Sequence, residues 1–374
     1  MPNSISEWFG YRVYPKVVKA HSAIRDQQAQ HCPFLSAALA GDRVCIKAPN
    51  SKGVCTVSSE AGGRQMDWVV CPYRTLNSPL LEDAARRLFR VPAAAELLLL
   101  PAPSLAGEPA RKKLRDALKS HVTSVVYFMD KLGGEIDLPG SPKSPKFKLD
   151  ATLVQLVHSS HGTVIDRHGI LEVQTMDYHG TYKEATKSLT NALELHPKDF
   201  ARQLERNPQW ASTGIEGPNI ANVFKRTIYQ VLFKFQLGSH ATCAGAALAL
   251  PESVWLSWQP HLGAPDLVLV PDGTWRLGIE TSTEHSQSSN GWILVFEIDS
   301  SSKVSPNPVK VKRIIQTDAH TIAQLAYEKA PAEAMSFLAD GESLRAILRR
   351  RIADFWPDIW SDCPPRKRRR KPPV

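Results

Sequence analysis

The sequence lacks an apolar run long enough to cross a membrane, which needs roughly 20 consecutive apolar residues. The closest segment, Val91–Pro103, is short and is bounded by prolines. The N-terminal residues Met1–Glu7 include neither a basic start nor a hydrophobic stretch of the kind found in secretion signals. Both absences argue against a membrane-spanning or secreted protein, and we expect a soluble intracellular one.

The cysteines also lack the short Cys-x2-Cys spacing of common zinc fingers. Four of the six nevertheless fall within forty residues, namely Cys32, Cys45, Cys55 and Cys71, separated by 12, 9 and 15 residues. In a chain without a secretion signal, clustered thiols favour a metal site over disulfides. Four thiolates would form a closed tetrahedral site that accepts either zinc or iron. Ordinary buried free cysteines are the alternative.

Outside its C-terminus the chain has little excess charge. The formal net charge is +9, and six of the positive charges lie in Arg366–Lys371, so the rest of the chain carries only +3. A cationic surplus favours polyanions, but it does not separate DNA from RNA or anionic lipid. We expect Pro364–Val374 to be disordered, because its six cations stand between proline pairs.

Polar residues interrupt two apolar runs with the period of a β-strand. In the first predicted strand, Phe147–Val154, Asp150 lies on the polar face beside Lys148 and Thr152. In the second, Gly169–Met176, Glu172 and Gln174 share one face. If the two strands form a hairpin, Asp150 and Glu172 meet across it.

Paired carboxylates on a half-buried face need a cation or hydrogen bonds, because ionised oxygens removed from water cost several kcal/mol. Mg²⁺ prefers such hard oxygen ligands, commonly one or two carboxylates completed by waters and a substrate phosphate. The alternative is a set of solvated charges on an edge strand.

The spacing of these residues resembles the PD-(D/E)XK nuclease core, with Leu149 in place of the usual proline and Gln174 in place of the usual lysine. Longer segments resemble the NotI family of type II restriction endonucleases. They occur in the same order from about Trp8 to about Trp356: Phe9–Pro15, Cys32–Leu35, Lys131–Glu135, Leu171–Gly180, Glu216–Asn219 and Asn222–Arg226.

The resemblance implies an α/β fold in which a PD-(D/E)XK core, a mixed sheet flanked by helices, carries an N-terminal metal-binding module with four cysteine ligands. The predicted domains are this module at 1–105, the catalytic domain at 106–360 and a disordered basic tail at 361–374. The implied activity is hydrolysis of double-stranded DNA at a GC-rich palindrome. It further implies a homodimer in the cytoplasm of a bacterium, with a cognate DNA methyltransferase that protects the host site.

The resemblance also assigns roles to individual residues. Asp150 and Glu172 would hold catalytic Mg²⁺, Glu135 would be a third acidic residue beside the scissile phosphate, and Gln174 would orient the attacking water. The four clustered cysteines would bind one structural iron, although the residues alone leave zinc open.

Candidates for DNA contact are Lys148, ahead of Asp150, and Asn222, Lys225 and Arg226 on the polar face of a predicted helix. A solvated helix face and solvated loop lysines are the alternatives. His179 is a possible general base, but a turn residue of that type is commoner, and a metal-activated water makes a histidine unnecessary.

Hydrophobic periodicity predicts the remaining elements. We expect a helix over 79–89, an apolar connection over 94–105, and helices starting near Pro109, running through Val122–Leu132, over 182–195, over 220–235 and over 344–355. We expect a strand over 292–299, and further strands around Trp255, Trp258 and Trp275.

Two other functions compete with a restriction enzyme. One is a metal-dependent nuclease that recognises DNA structure in repair or recombination. The other is a thiolate-metal DNA-binding protein without catalytic activity, in which the acidic cluster has no chemical role.

Overall fold

The computed structural model of the chain describes residues 3–61, 63–76, 79–160, 162–277, 290–341 and 344–356. The strands are β1 Ser4–Trp8, β2 Tyr11–Arg12, β3 Val54–Ala61, β4 Arg64–Val69, β5 Leu97–Pro101, β6 Thr123–Met129, β7 Ile136–Leu138, β8 Phe147–Leu149, β9 Ala151–Ser159, β10 Gly162–Val173, β11 Tyr178–Gly180, β12 Ile215–Pro218, β13 Cys243–Pro251, β14 Leu267–Leu269, β15 Trp275–Leu277, β16 Gly291–Ile298 and β17 Val309–Thr317.

The α-helices are α1 His21–Gln28, α2 Pro33–Leu39, α3 Pro79–Leu88, α4 Glu108–Lys119, α5 Lys183–Leu195, α6 Phe200–Arg206, α7 Ile220–Leu237, α8 Glu252–Trp258, α9 Ala319–Gln324, α10 Ala330–Gly341 and α11 Leu344–Ala353. A π-helical turn, Leu325–Lys329, joins α9 to α10. None of the described helices combines the length and hydropathy needed to span a membrane.

A nine-stranded mixed sheet forms the centre of the fold, with the strand order β14-β15-β17-β16-β13-β10-β9-β6-β5. Strands β9 and β10 form an antiparallel hairpin in which Ala151 pairs with Leu171. On its other side β10 runs parallel to β13, which is buried along its whole length. The hairpin therefore lies in the interior of the sheet, with both of its faces available for packing.

Helices cover both faces of this sheet. One face, which carries Leu171 and Val173 of β10, packs against α2 and α3. The opposite face, which carries Ile170, packs against α7, α8 and α9, and the neighbouring strands β5 and β6 pack against α4. The predicted mixed sheet flanked by helices is confirmed.

A second, four-stranded antiparallel sheet has the order β2-β1-β3-β4. Its apolar residues pack on α5 and α6, which follow the β9–β10 hairpin in the chain. A buried ion pair also ties this sheet to the segment ahead of β17, since Arg74 bonds both Glu7 of β1 and the carbonyl oxygen of Asn307. The N-terminal region is thus packed between elements from the later part of the chain.

Most of the predicted helices are confirmed with small shifts of boundary. Helices α3, α4, α5 and α7 lie where the periodicity places them, as does strand β16. The predicted helix through Val122–Leu132 is wrong, because Thr123–Met129 is strand β6. This strand lies between β5 and β9 and is covered on both faces, so its apolar residues are nearly continuous and carry no strand alternation.

The connection predicted over 94–105 is also wrong, because Leu97–Pro101 forms the edge strand β5 of the large sheet. Trp255 and Trp258 lie on helix α8 rather than on strands, whereas Trp275 lies on β15 as expected. The domain division at 105 and 360 stays a prediction, although β5 and α3, from the first segment, belong to or pack on the large sheet. The predicted tail, 361–374, lies outside the described residues.

The predicted single strand Phe147–Val154 is wrong at one position, since the chain bends at Asp150. Before it, Phe147–Leu149 forms β8 and pairs with β7. After it, β9 enters the large sheet. Because of this bend Phe147 stacks on Phe233 of α7, with ring centroids 3.8 Å apart, instead of following the face of Ala151.

Candidate functional site

Asp150 and Glu172 lie side by side where the β9–β10 hairpin meets helix α7. Since Ala151 pairs with Leu171, the same register places Asp150 across from Glu172. The two carboxyl groups are close enough to share a hydrogen bond. The predicted meeting of these two residues across a hairpin is therefore confirmed.

Each of these carboxyl groups has one oxygen held by the protein. Oδ2 of Asp150 accepts a hydrogen bond from the backbone N–H of Val173, at 3.2 Å. Oε2 of Glu172 accepts one from Nζ of Lys234 on α7. The hydrogen bond between the two carboxyl groups completes this set of contacts.

Burial and, second, the neighbouring Asp150 raise the pKa of Glu172 to about 8, although Lys234 acts in the opposite direction. Glu172 is only 5% exposed. The pair of carboxyl groups thus lies in a buried place where one ammonium group does not fully compensate two negative charges. Two adjacent carboxylates, once both are ionised, match the protein part of a typical Mg²⁺ site.

Gln174 extends the same face of the hairpin. Its Oε1 is hydrogen-bonded to the hydroxyl of Thr227 on α7, and its Nε2 donates to the carbonyl oxygen of Thr175. Thr227 and Lys234 are seven residues apart and so lie on one side of the helix. The predicted common face of Glu172 and Gln174 is confirmed, since both contact this side of α7.

Glu135 lies at the beginning of the β7–β8 pair, next to the bend at Asp150. Ile136 pairs with Leu149, so continuing the antiparallel register by one residue puts Glu135 opposite Asp150. Its carboxylate forms an ion pair with Lys148, at 3.4 Å. Lys148 is exposed and also lies 4.0 Å from Asp137. The backbone thus brings Glu135 beside the paired carboxyls, with its own charge balanced by a lysine.

The three other candidates for DNA contact lie on the opposite, exposed side of α7. Asn222 and Lys225 are exposed, and the exposed Arg226 forms an ion pair with Asp177 at 2.7 Å. The backbone N–H of Asn219, just ahead of α7, donates to the carbonyl oxygen of Asp177. Helix α7 therefore presents one side to the carboxyl pair and the other to solvent. His179 is exposed on β11, which pairs with β12 ahead of α7.

The four clustered cysteines converge beneath the small sheet. The thiols of Cys55 and Cys71 are hydrogen-bonded to each other, and Cys32 interacts electrostatically with both Cys71 and Cys45. The sulfur of Cys45 accepts a hydrogen bond from the N–H of Gly53, at 3.4 Å. All four are free thiols.

Two of these cysteines sit in matching turns. After Cys32-Pro33, the N–H groups of Phe34 and Leu35 donate to the cysteine sulfur. After Cys71-Pro72, the N–H groups of Tyr73 and Arg74 do the same. Hydrogen bonds of this kind favour the thiolate, which is the form that binds a metal.

The charges around the thiols act unequally on them. The hydrogen bond from Cys55, supported by Lys47, lowers the pKa of Cys71 to about 6, whereas burial raises the pKa of Cys32 to about 11. Lys47 donates hydrogen bonds to the carbonyl oxygens of Val54 and Val70, at 2.7 and 3.2 Å. A cationic group held near Cys55 and Cys71 would offset part of the negative charge of a thiolate-metal centre.

In the part of the chain that the structure describes, no group of three or more His, Cys, Asp and Glu side chains is placed so that it could hold a metal ion. The carboxyl pair and the four thiols are therefore described by their donor chemistry and hydrogen bonds. By these measures the carboxyl pair suits a hard cation and the thiols suit iron or zinc.

The sequence did not identify Lys234 or Thr227 as members of the site. Both lie on the buried side of α7, where the helical period predicts a core position for Thr227 and indicates no function for Lys234. The detectable signal was a lysine at a stripe position, three residues after Val231.

Comparison with known proteins adds no family assignment, since neither a protein-family model nor a curated protein matches this chain.

Proposed function

We propose that this chain is a metal-dependent type II restriction endonuclease that hydrolyses phosphodiester bonds of double-stranded DNA. The observation that carries the proposal is the meeting of Asp150 and Glu172, each held through one oxygen by a protein donor, at the open end of a hairpin in a mixed sheet. The resemblance of the longer segments to the NotI family supports the same reading, with a PD-(D/E)XK core as the catalytic part.

Asp150 and Glu172 would hold Mg²⁺, which would replace the hydrogen bond between their carboxyl groups. When bound, the ion would lower the pKa of the attacking water and neutralise charge that develops on the phosphate. Val173 and Lys234 fix the orientation of the two carboxyl groups through one oxygen of each. Glu135 would supply a third acidic group on the side of the β7–β8 pair.

Gln174 would orient the attacking water. Its amide nitrogen has two hydrogens, and only one is used by the carbonyl oxygen of Thr175. The second can reach a water molecule, while Thr227 restrains the carbonyl end of the side chain. A neutral amide orients a water but does not accept its proton, so deprotonation is left to solvent or to a neighbouring carboxylate.

The cleaved phosphate would lie at the β7–β8 pair, beside Glu135 and the bend at Asp150, where Lys148 can meet phosphates. Asn222, Lys225 and Arg226 lie on the side of α7 away from the carboxyl pair, so they would contact phosphates or base edges at a distance from the cleaved bond. Because a palindromic duplex has two-fold symmetry, a homodimer with one active centre per strand fits the proposal. A GC-rich palindrome as the target, a bacterial cytoplasm as the location and a cognate DNA methyltransferase as partner follow from the family resemblance.

The four cysteines would hold one structural iron or zinc in an N-terminal module. The proposal is supported by the two matching Cys-Pro turns and by Lys47 beside the thiols. Such a centre would stabilise the loops around the small sheet, which packs against α5 and α6.

The decisive experiment is digestion of plasmid and genomic DNA with the purified chain and Mg²⁺, followed by sequencing of the fragment ends. We expect one discrete site, with 5′-phosphate and 3′-hydroxyl ends. Cleavage only at junctions or free ends would favour a structure-specific nuclease.

An Asp150→Ala variant provides the matched control. We expect it to bind DNA in Ca²⁺ like the unchanged chain and to lose cleavage by a factor on the order of 10³. A chain that binds a site but never cuts with Mg²⁺ would favour the non-catalytic DNA-binding protein, and cleavage that survives Asp150→Ala would exclude this carboxyl pair as the active site.

A further inference from the structure

Lys234 lies in the last turn of α7, and its side chain is only 2% exposed. Its flanking residue Phe235 belongs to the apolar cluster between α7 and the large sheet. Its ammonium group donates a hydrogen bond to Oε2 of Glu172, whose side chain is 7% exposed. The side chain of Lys234 is thus buried, and its ammonium group contacts one carboxyl group of the site.

Stability does not account for such a pair. Withdrawing an ammonium and a carboxylate from water costs much of what their attraction returns, and well-packed apolar residues at the same positions are often as stable or more stable. The surroundings of Lys234 are apolar enough for such a replacement, since Val231 and Phe235 flank it on the helix stripe. A buried ion pair beside a second carboxyl group, Asp150, instead indicates a functional position.

The contact is specific to one oxygen. Lys234 donates a hydrogen bond to Oε2 of Glu172, and the N–H of Val173 donates one to Oδ2 of Asp150. The side chain of Glu172 is therefore fixed at its end as well as at its backbone, next to Asp150. Groups that hydrogen-bond a metal ligand in this way orient it and commonly change metal affinity or activity by 10- to 100-fold when removed.

We infer that Lys234 is a positioning residue that orients Glu172 for a divalent cation, and that it supplies from a helix the cationic group missing from position 174. The neutral Gln174 and the charged Lys234 have separate roles, since Gln174 would orient the water and Lys234 would orient Glu172. Gln174 remains on the strand, held by Thr227, and Lys234 reaches the adjacent acidic residue from seven positions further along the same helix face. The inference rests on the proposed function, because it takes Asp150 and Glu172 as the cation ligands.

The test measures Mn²⁺ binding to the full-length, DNA-free chain by electron paramagnetic resonance, a readout that does not depend on cleavage. Lys234→Met keeps the length of the side chain and removes its charge. We expect its Mn²⁺ dissociation constant to rise about 10- to 100-fold. The matched control is Lys187→Met, which removes an exposed lysine from α5 and should leave Mn²⁺ binding unchanged.

A second pair of variants asks whether Lys234 acts through Glu172. On a Glu172→Gln background, Lys234→Met should cause no further loss of Mn²⁺ affinity, because the oriented group is already gone. Lys234→Arg, which keeps a charged donor, should retain more affinity than Lys234→Met. If Lys234→Met does not fold, Lys234→Gln gives the same comparison with a smaller change in polarity, and its affinity should also fall.

Mn²⁺ affinity in Lys234→Met equal to or tighter than in the unchanged chain would overturn the inference, since repulsion of the cation would then outweigh orientation. An equal loss on both backgrounds would also overturn it.

The two proposals fail in different ways. If the unchanged chain cuts DNA and Lys234→Met binds Mn²⁺ normally, the restriction enzyme survives and the role of Lys234 does not. If the unchanged chain never cuts but its Mn²⁺ binding depends on Lys234 through Glu172, the cation site survives and the enzyme does not.

Discussion

The guanidinium of Arg74 donates hydrogen bonds to both carboxylate oxygens of Glu7, at 2.9 and 3.1 Å, and neither side chain is exposed to solvent. Thr56 adds a hydrogen bond to the same carboxylate, at 2.6 Å. Arg74 also lies over the ring of Phe34. This one pair therefore ties the first strand of the small sheet to the segment that follows Cys71 and to helix α2.

Replacing Glu7 by alanine would leave the Arg74 charge buried without its partner. We expect the free energy of unfolding to fall by about 3 to 5 kcal/mol, measured by urea denaturation followed by tryptophan fluorescence. The control is Glu205→Ala, which breaks the exposed Lys19–Glu205 pair and should change it by at most about 1 kcal/mol. Equal effects of the two substitutions would contradict the structural role of the buried pair.

The four thiols should retain a metal through purification. Elemental analysis of the chain, made without added metal, should find about one iron or zinc ion per chain. Cys55→Ser should lower both this content and the melting temperature, because a structural metal contributes directly to folding. Cys243→Ser, at a buried cysteine on β13, should keep the metal. If the wild-type chain contains no metal and Cys55→Ser leaves the melting temperature unchanged, the four residues are ordinary free cysteines.

Lys225 should contribute to DNA binding through phosphate. We expect Lys225→Ala to weaken binding and to reduce the slope of the logarithm of affinity against that of salt concentration by about 1, since one fewer counterion is released. The measurement is a titration of DNA at several KCl concentrations without divalent metal. Lys187→Ala, on α5, provides the comparison. An unaltered slope for Lys225→Ala would mean that this side of α7 is only solvated.

Tyr11 should make stability fall at alkaline pH. Burial and the hydrogen bond to Oδ2 of Asp26, at 2.5 Å, raise the pKa of Tyr11 to about 12. An unfolded tyrosine loses its proton at about pH 10, so unfolding releases a proton between these values. The stabilisation is complete below pH 10 and is lost as the pH rises toward 12.

The corresponding experiment compares urea denaturation of the unchanged chain and Tyr11→Phe across this pH range. The phenylalanine variant should lose less stability between pH 10 and 12, because it has no phenol to ionise. Parallel curves for the two proteins would show that the hydroxyl is not held by Asp26.

Sequence alone located the carboxyl pair because the strand period of two applies at the ends of β9 and β10, where one face becomes polar. It failed for β6, since Val125 and Val126 are buried on opposite faces of the sheet and give no alternation. A run of that length reads equally well as a buried helix. The bend at Asp150 was hidden for a related reason, because the alternation of the letters continues through it while the backbone changes partner from β7 to β10.

Lys234 escaped notice because an amphipathic pattern is read from its apolar members. Its position follows Val231 by three residues and Thr227 by seven, so the helix period alone places it on the buried side. The helical pattern does not identify the partner of Lys234, because Glu172 lies sixty-two residues earlier in the chain, on strand β10. A lysine on an apolar stripe is thus a reason to search for a distant carboxylate.

Strand β5 closes one margin of the large sheet, although its residues precede the predicted boundary at 105. A shortened gene beginning at residue 106 would leave the hydrogen-bonding groups of β6 open to pairing with other molecules, a known route to aggregation. Recombinant fragments of the catalytic half should therefore begin ahead of α3. They then include Leu80 and Leu88, which pack on the large sheet, and the whole of β5, which pairs with β6.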